Sequence, residues 1–219
     1  MKLKTPFVYC VLPAFVACWS LAAWASELSL IQLPPPQTDG GKPFMRVLKE
    51  RRSTREFATN ALPPQVLSDL LWAGFGINRP DIEHRTAPSA MNSQEIDLYV
   101  ATVEGLYLYE AKAHQLQPVA AGDHRTKTGG QDFVKQAPVA LVFVADLPRL
   151  AKAKPEERER YASIDTGFIS QNIYLFCASE GLGSVVHDLD RAKLKDTLKL
   201  TPNQRIILAQ SVGFPKPVR

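Results

Sequence analysis

Pro138-Val139-Ala140-Leu141-Val142-Phe143-Val144-Ala145-Asp146 is an apolar run closed by a proline at one end and an acid at the other. The apolar residues are continuous rather than alternating, so 139–144 predicts a strand with no solvated face, set in the middle of a sheet. Downstream, 156–180 predicts a long helix. Its start, Glu156-Glu157-Arg158-Glu159-Arg160, reads as a solvated face. Its second half carries Phe168, Ile169, Ile173, Leu175, Phe176 and Ala178 on more than one side, which implies burial from several directions. Gly181 and Gly183 stop it, a short helix over 190–198 follows, and 206–212 makes a last strand. Upstream, 96–103 and 106–109 form a hairpin around a turn at Glu104-Gly105. Pro63-Pro64 opens a helix with Val66, Leu67, Leu70, Leu71 and Phe75 apolar, loosened at its end by Gly74 and Gly76. Before it, Phe44, Val47, Leu48 and then Arg51 fall at helical spacing in a short helix ending near Arg52. Strands and helices alternate irregularly around one core, which defines an α+β class.

The length of 219 residues bounds the chain to one domain or at most two small ones, and 45% hydrophobic with 22% charged residues excludes a disordered or collagen-like protein. Basic residues are interleaved with acids, so the net charge of +4 leaves no nucleic-acid footprint. Much of that surplus sits at the start. Met1-Lys2-Leu3-Lys4-Thr5 is basic, 6–25 is almost wholly apolar, and Ala23-Trp24-Ala25 presents small residues where a signal peptidase reads. This is a secretory signal-peptide pattern over 1–25, with cleavage after Ala25 and a periplasmic or secreted mature chain. The alternatives are an uncleaved anchor, against which Pro6, Pro13 and Ser20 argue, and a lipoprotein signal at Cys18, which Phe15 fits poorly. Cleavage removes Lys2, Lys4 and no acid, giving a mature charge of +2, and leaves Cys177 as the one cysteine, without a disulfide. No other stretch is long enough to cross a membrane. The mature chain then divides into an extended, Pro-rich arm over 26–42, broken by Gly40-Gly41, and a domain over 43–219.

The densest polar cluster is Glu50-Arg51-Arg52-Ser53-Thr54-Arg55-Glu56-Phe57. Arg51 and Arg55 are four apart and Arg52 and Arg55 three apart, so two or three guanidiniums converge if the helical turn continues. Arg51 also extends the apolar stripe of its helix, so it points inward, where a guanidinium needs an anion. A phosphate would suit this fork, with Ser53 as a hydroxyl donor. The other reading has these cations favoured by a helix C-terminus and paired with Glu50 and Glu56. Ala87-Pro88-Ser89-Ala90-Met91-Asn92-Ser93-Gln94 is a small-residue loop that lets a ligand approach the backbone, or an ordinary turn whose Asn and Ser bond their own backbone. Lys216 and Arg219 add cations after the last strand. His84, His114, His124 and His187 offer no zinc-ligand spacing, and Cys177, in an apolar helix, reads as an inert buried thiol.

Taken in order, several segments resemble the nitroreductase family of flavin enzymes, and within it the branch similar to SagB-type (thiazoline/oxazoline) dehydrogenases. They are 51–57, 71–79, Arg85-Thr86-Ala87-Pro88-Ser89-Ala90, Asp165-Thr166-Gly167 with Gln171-Asn172, 180–184, and Val212-Gly213-Phe214-Pro215-Lys216. The resemblance covers about residues 43–219. It implies a three-layer sandwich, a mostly antiparallel central sheet flanked by helices, in an intertwined homodimer joined through the long helix, with one FMN at each edge of the interface. It places Arg51, Arg52, Ser53 and Arg55 around the FMN phosphate, ribityl chain and pyrimidine edge. Pro88, Ser89, Ala90 and Asn92 would reach the flavin from the partner subunit, Val186 and His187 would lie against the isoalloxazine, and Lys216 and Arg219 would close on the phosphate. His187 stays open between flavin neighbour and surface histidine. The flavin carries the chemistry, so no catalytic acid–base dyad is expected. NAD(P)H is the implied donor and a nitroaromatic, quinone or similar small molecule the acceptor. The branch's Lys-Tyr pair has no assigned counterpart here. Export conflicts with this scheme, because NAD(P)H and free FMN are scarce outside the cytoplasm. A non-catalytic protein holding flavin or another planar ligand on the same fold is therefore the alternative.

Cleavage after Ala25 predicts that protein recovered from the periplasmic fraction begins at Ser26 when its intact mass is measured. A chain retaining Met1 would refute it.

Overall fold

A computed structural model describes residues 28–217; the leader, with Cys10 and Cys18, and the terminal Arg219 lie outside the described residues. The strands are β1 (Ile31–Gln32), β2 (Ile77–Arg79), β3 (His84–Arg85), β4 (Ile96–Ala101), β5 (Gly105–Glu110), β6 (Gln115–Ala121), β7 (Val139–Asp146), β8 (Gly183–His187) and β9 (Gln204–Gly213). The helices are α1 (Phe44–Glu50), α2 (Pro64–Phe75), α3 (Asp132–Gln136), α4 (Arg158–Glu180) and α5 (Arg191–Lys195).

The main sheet runs β1-β6-β5-β4-β7-β9-β8, and its strand pairs are antiparallel; β2 and β3 form a separate small hairpin. The continuous apolar run is β7, hydrogen-bonded to β4 on one side and β9 on the other. Side chains of a strand alternate between faces, and the two sets enter different cores. Val139, Leu141, Phe143 and Ala145 pack with Leu70, Leu71, Ile169 and Ile173 of α2 and α4. Ala140, Val142 and Val144 pack with Leu189, Leu194 and Leu198 around α5. Helices, sheet and helix thus form three layers, and the absence of a polar face in β7 follows from its position between two of them.

The 96–109 hairpin is present as β4–β5. It continues into β6, which the sequence reading left out because Gln115, Gln117 and Pro118 dilute its apolar pattern. Pro118 lies where the β5–β6 register shifts, so the missing amide falls at an irregularity in the ladder. The arm is not a free extension throughout: Ile31 and Gln32 pair with β6, Leu33 is buried in the main core, and the Pro34 carbonyl accepts from Ser68 Oγ at 2.6 Å.

α4 ends as expected, at Gly181 in the left-handed region (φ 73°). Burial from several directions is not observed within the chain. One stripe of α4, including Asp165, Ile169, Ile173 and Cys177, faces the core, while Ile164 and Phe168 are 45% and 46% exposed. The reason is that α2 and the sheet cover only one side of the helix. On α1, Val47 is buried, but Phe44, Met45 and Leu48 are exposed.

Phe143 is fully buried in the central strand. Phe143→Ala should therefore lower unfolding stability by about 3–5 kcal/mol in urea titrations. A loss below about 1 kcal/mol would contradict its place in the core.

Candidate functional site

β8 is the last strand of the sheet, so the backbone groups on its outer side need partners other than a strand. The segment after α1 supplies them. Ser53 bridges Ser184 in parallel fashion, and the Thr54 amide donates to the Ser184 carbonyl at 2.9 Å. The approach is close enough that a Cβ on Gly183 would lie 2.8 Å from Thr54 Cγ2. The same segment pairs with the C-terminal tail. Phe57, 2% exposed, bridges Pro215; the Ala58 amide donates to the Phe214 carbonyl at 2.9 Å, and the Lys216 amide to the Glu56 carbonyl at 3.0 Å. The arginine-rich motif and the tail, distant in sequence, are thereby laid side by side.

The carboxylates do not neutralise these arginines. Glu50 is taken by Lys42 at 2.8 Å and Arg46 at 2.7 Å, hydrogen bonds that hold its carboxyl down at about 2. Among the described residues no carboxylate pairs with Arg51, Arg52, Arg55 or Lys216. Arg51 is half-buried, with its guanidinium carbon 5.3 Å from the centre of the Tyr174 ring. Arg52, Ser53, Arg55 and Lys216 are exposed. A cavity of about 440 Å³ opens here, lined by Lys49, Arg51, Arg52, Thr54 and Tyr174 and by the Lys42–Glu50 pair, with Cys177 and Leu182 in its wall. Burial pushes the Cys177 thiol well above its usual range, so it contributes surface rather than a nucleophile. Lys49 and Tyr174 join the site without a motif of their own, and Thr54, inside the polar cluster, lines the cavity as well. Lys49 stands two residues before the motif and signals itself by charge alone, whereas Tyr174 carries no sequence signal inside an apolar helix half.

The 87–94 loop lies elsewhere in the same chain. Its Ala90 amide donates to Asp165 Oδ2 at 2.7 Å, and Asp165 precedes Tyr174 by about 13 Å along α4. Pro88 and Asn92 are exposed, and Ser89 Oγ accepts from the Gln94 amide at 2.9 Å. Met91, Asn92 and Gln94 all adopt positive φ, near 50°, and Arg85 holds the turn by donating to Gln94 Oε1 at 2.8 Å. Three non-glycine residues in the left-handed region store strain that the surroundings must over-determine. Next to the loop, Glu95 is fully enclosed beside Asp165, and among the described residues neither its carboxyl oxygens nor Thr166 Oγ1 has a hydrogen-bond partner. Burial pushes the Glu95 carboxyl up to about 7, with repulsion from Asp165 adding to it and Arg149 opposing it.

Val186 and His187 sit on β8. His187 is not a surface histidine. It is 6% exposed, its Nε2 lies 2.9 Å from Ser211 Oγ, and the Phe133 ring packs edge-on at 5.5 Å. Burial lowers its pKa, so it is neutral at pH 7. Val186 is half-buried, and its amide donates to the Tyr174 hydroxyl at 2.8 Å.

A three-layer α+β sandwich whose sheet edge carries an arginine-rich segment and a basic tail defines a recognisable class. The model of the nitroreductase family matches residues 48–214, and the chain belongs to that family. A protein of Methanocaldococcus jannaschii, provisionally assigned as a nitroreductase, is 30% identical over 149 residues, 64% of this chain and 75% of that one. A crystal structure from Ralstonia eutropha JMP134 with the same provisional assignment is 43% identical. It superposes with a TM-score of 0.82 over 86% of this chain and 90% of the other. The structure of the E. coli microcin synthetase McbBCD complex contains a chain 19% identical, with a TM-score of 0.69 over 97% of this chain and 85% of its own, a likeness of fold.

Because Glu95 keeps its proton in the folded chain where the unfolded chain has lost it, its contribution is fully present at acid pH and drains away as pH rises towards about 7. Glu95→Gln keeps the shape without ionising. Its melting temperature should therefore gain on that of the native protein between roughly pH 4.5 and pH 8. Parallel pH profiles for the two proteins would refute this.

Proposed function

We propose that the protein is an exported FMN-dependent oxidoreductase of the nitroreductase type, passing electrons from a donor such as NAD(P)H to a nitroaromatic, quinone or similar acceptor in a ping-pong cycle. The observation that carries the reading is the cavity bordered by Arg51 and Arg52, guanidiniums without a carboxylate partner among the described residues. Cations held together in a half-enclosed site repel one another unless an anion joins them, and a phosphate monoester matches the guanidinium fork. Lys216, brought beside the motif by the tail pairing, adds a further cation, with Arg219 the expected neighbour. The residues therefore fit a phosphate-bearing cofactor.

When bound, FMN supplies the redox chemistry by accepting a hydride at N5 and passing the electrons on. The chain's own part is to bind and orient. Arg51, Arg52, Ser53 and Arg55 would hold the phosphate, ribityl chain and pyrimidine edge, Val186 and His187 of β8 would lie against the ring, and Pro88, Ser89, Ala90 and Asn92 would complete the site from a second subunit. A homodimer accounts for the separation of the loop and the cavity along α4. It also gives cover to Ile164, Phe168, Phe44 and Met45, large apolar side chains exposed in a single chain.

Mature protein purified from the periplasm should be yellow, and NADH or NADPH should bleach it until a nitroaromatic is added. A colourless protein that takes up no added FMN would sink the proposal, and a bound flavin that no donor reduces would favour a non-catalytic flavin binder. Arg51→Ala should weaken FMN binding roughly 10- to 150-fold, the value of one charge-assisted hydrogen-bond set. Full occupancy in the variant would refute the phosphate assignment.

A further inference from the structure

The Tyr174 side chain touches three separate parts of this site. It projects from α4, half-buried, into the cavity. Its ring lies under the Arg51 guanidinium at 5.3 Å, and its hydroxyl meets both Ser53 Oγ at 3.1 Å and the Val186 amide at 2.8 Å. A backbone amide only donates, so the Tyr174 oxygen accepts from Val186, while either hydroxyl can be the donor in the Tyr174–Ser53 pair. With Tyr174 as that donor, the Ser53 hydroxyl proton is available to a ligand oxygen. The same contact satisfies Val186, whose amide points away from β9 on the outer edge of β8.

We propose that Tyr174 is the positioning residue for the anion end of the site, setting Ser53 as a donor and Arg51 as a platform-held cation so that the chain selects a phosphorylated flavin over its unphosphorylated counterpart. The inference rests on the FMN reading above and names the device that makes the phosphate count. The hydroxyl acts through Ser53 and the ring through Arg51, so the two contributions separate by substitution. Tyr174→Phe keeps the ring under Arg51 and deletes the hydroxyl. Tyr174→Leu removes both.

Fluorescence titrations of the full mature protein with FMN and with riboflavin, which lacks the phosphate, test this. Tyr174→Phe should weaken FMN binding roughly tenfold, the scale of one hydrogen bond to a charged group, and leave riboflavin binding within about twofold. Tyr174→Leu should weaken FMN further, again with little change for riboflavin. Ser53→Ala combined with Tyr174→Phe should bind FMN no worse than the weaker single variant, because both break one chain of hydrogen bonds. FMN affinity unchanged in Tyr174→Phe, additive losses in the double variant, or equal losses for FMN and riboflavin would each overturn the inference. The last outcome would mark Tyr174 as a packing residue. A native chain that binds FMN while the variants behave in these ways defeats only the role of Tyr174. A native chain that binds no FMN defeats both this inference and the function on which it rests.

Discussion

The outer edge of β8 is the constraint on which the site depends. A sheet that ends in a short strand presents backbone groups that nothing in the ladder can satisfy. Here the cover is supplied piecewise, by Thr54 at the Ser184 carbonyl and by the Tyr174 hydroxyl at the Val186 amide. The first contact pins the segment that carries Arg51, Arg52, Ser53 and Arg55. That segment in turn recruits the tail through Phe57 and Pro215 and brings Lys216 alongside. Satisfying one strand's hydrogen bonds therefore gathers a set of cations that, among the described residues, have no carboxylate partner of their own.

α4 carries the other half of the design. Its buried stripe holds Ile169 and Ile173 against α2 and the sheet, yet the same stripe includes Asp165 and Thr166. Asp165 anchors the strained 87–94 loop near one end of the helix, and Tyr174 anchors the cation cluster near the other. A rigid rod of fixed rise keeps these two anchor points apart within the chain. The apolar side chains left exposed on α4 and α1 lie on the faces that the chain's own core does not cover.

The elements with strong patterns were legible. β7, the β4–β5 hairpin, α2, α4 and β9 follow from apolar runs, alternation, a Pro-Pro opening and a glycine stop. β6 was not, since its glutamines and Pro118 hide a strand that pairs through its backbone. β8 was missed for a related reason: Gly183 was read as the end of a helix, whereas it is also the first residue of a strand that must admit Thr54 at close range. Arg51 was expected to turn inward and is half-buried; its contact, the face of Tyr174, depends on a residue more than one hundred positions away. His187 moved from an open question to the buried position of a side chain facing Ser211, a matter of strand register that no local pattern encodes.

By itself, the sequence determined which segments seek burial and which residues bring charge. Periodicity and composition are local properties, so the α+β class and the arginine-rich motif could be read from them, whereas the three-layer sandwich was implied by the resemblance to nitroreductases. What only the tertiary structure decided is which charges remain without partners. Glu50, adjacent in sequence to Arg51, is claimed by Lys42 and Arg46 instead, and the tail lysine is delivered beside the motif by backbone pairing. Electrostatic balance depends on distances between side chains, and those are set by packing.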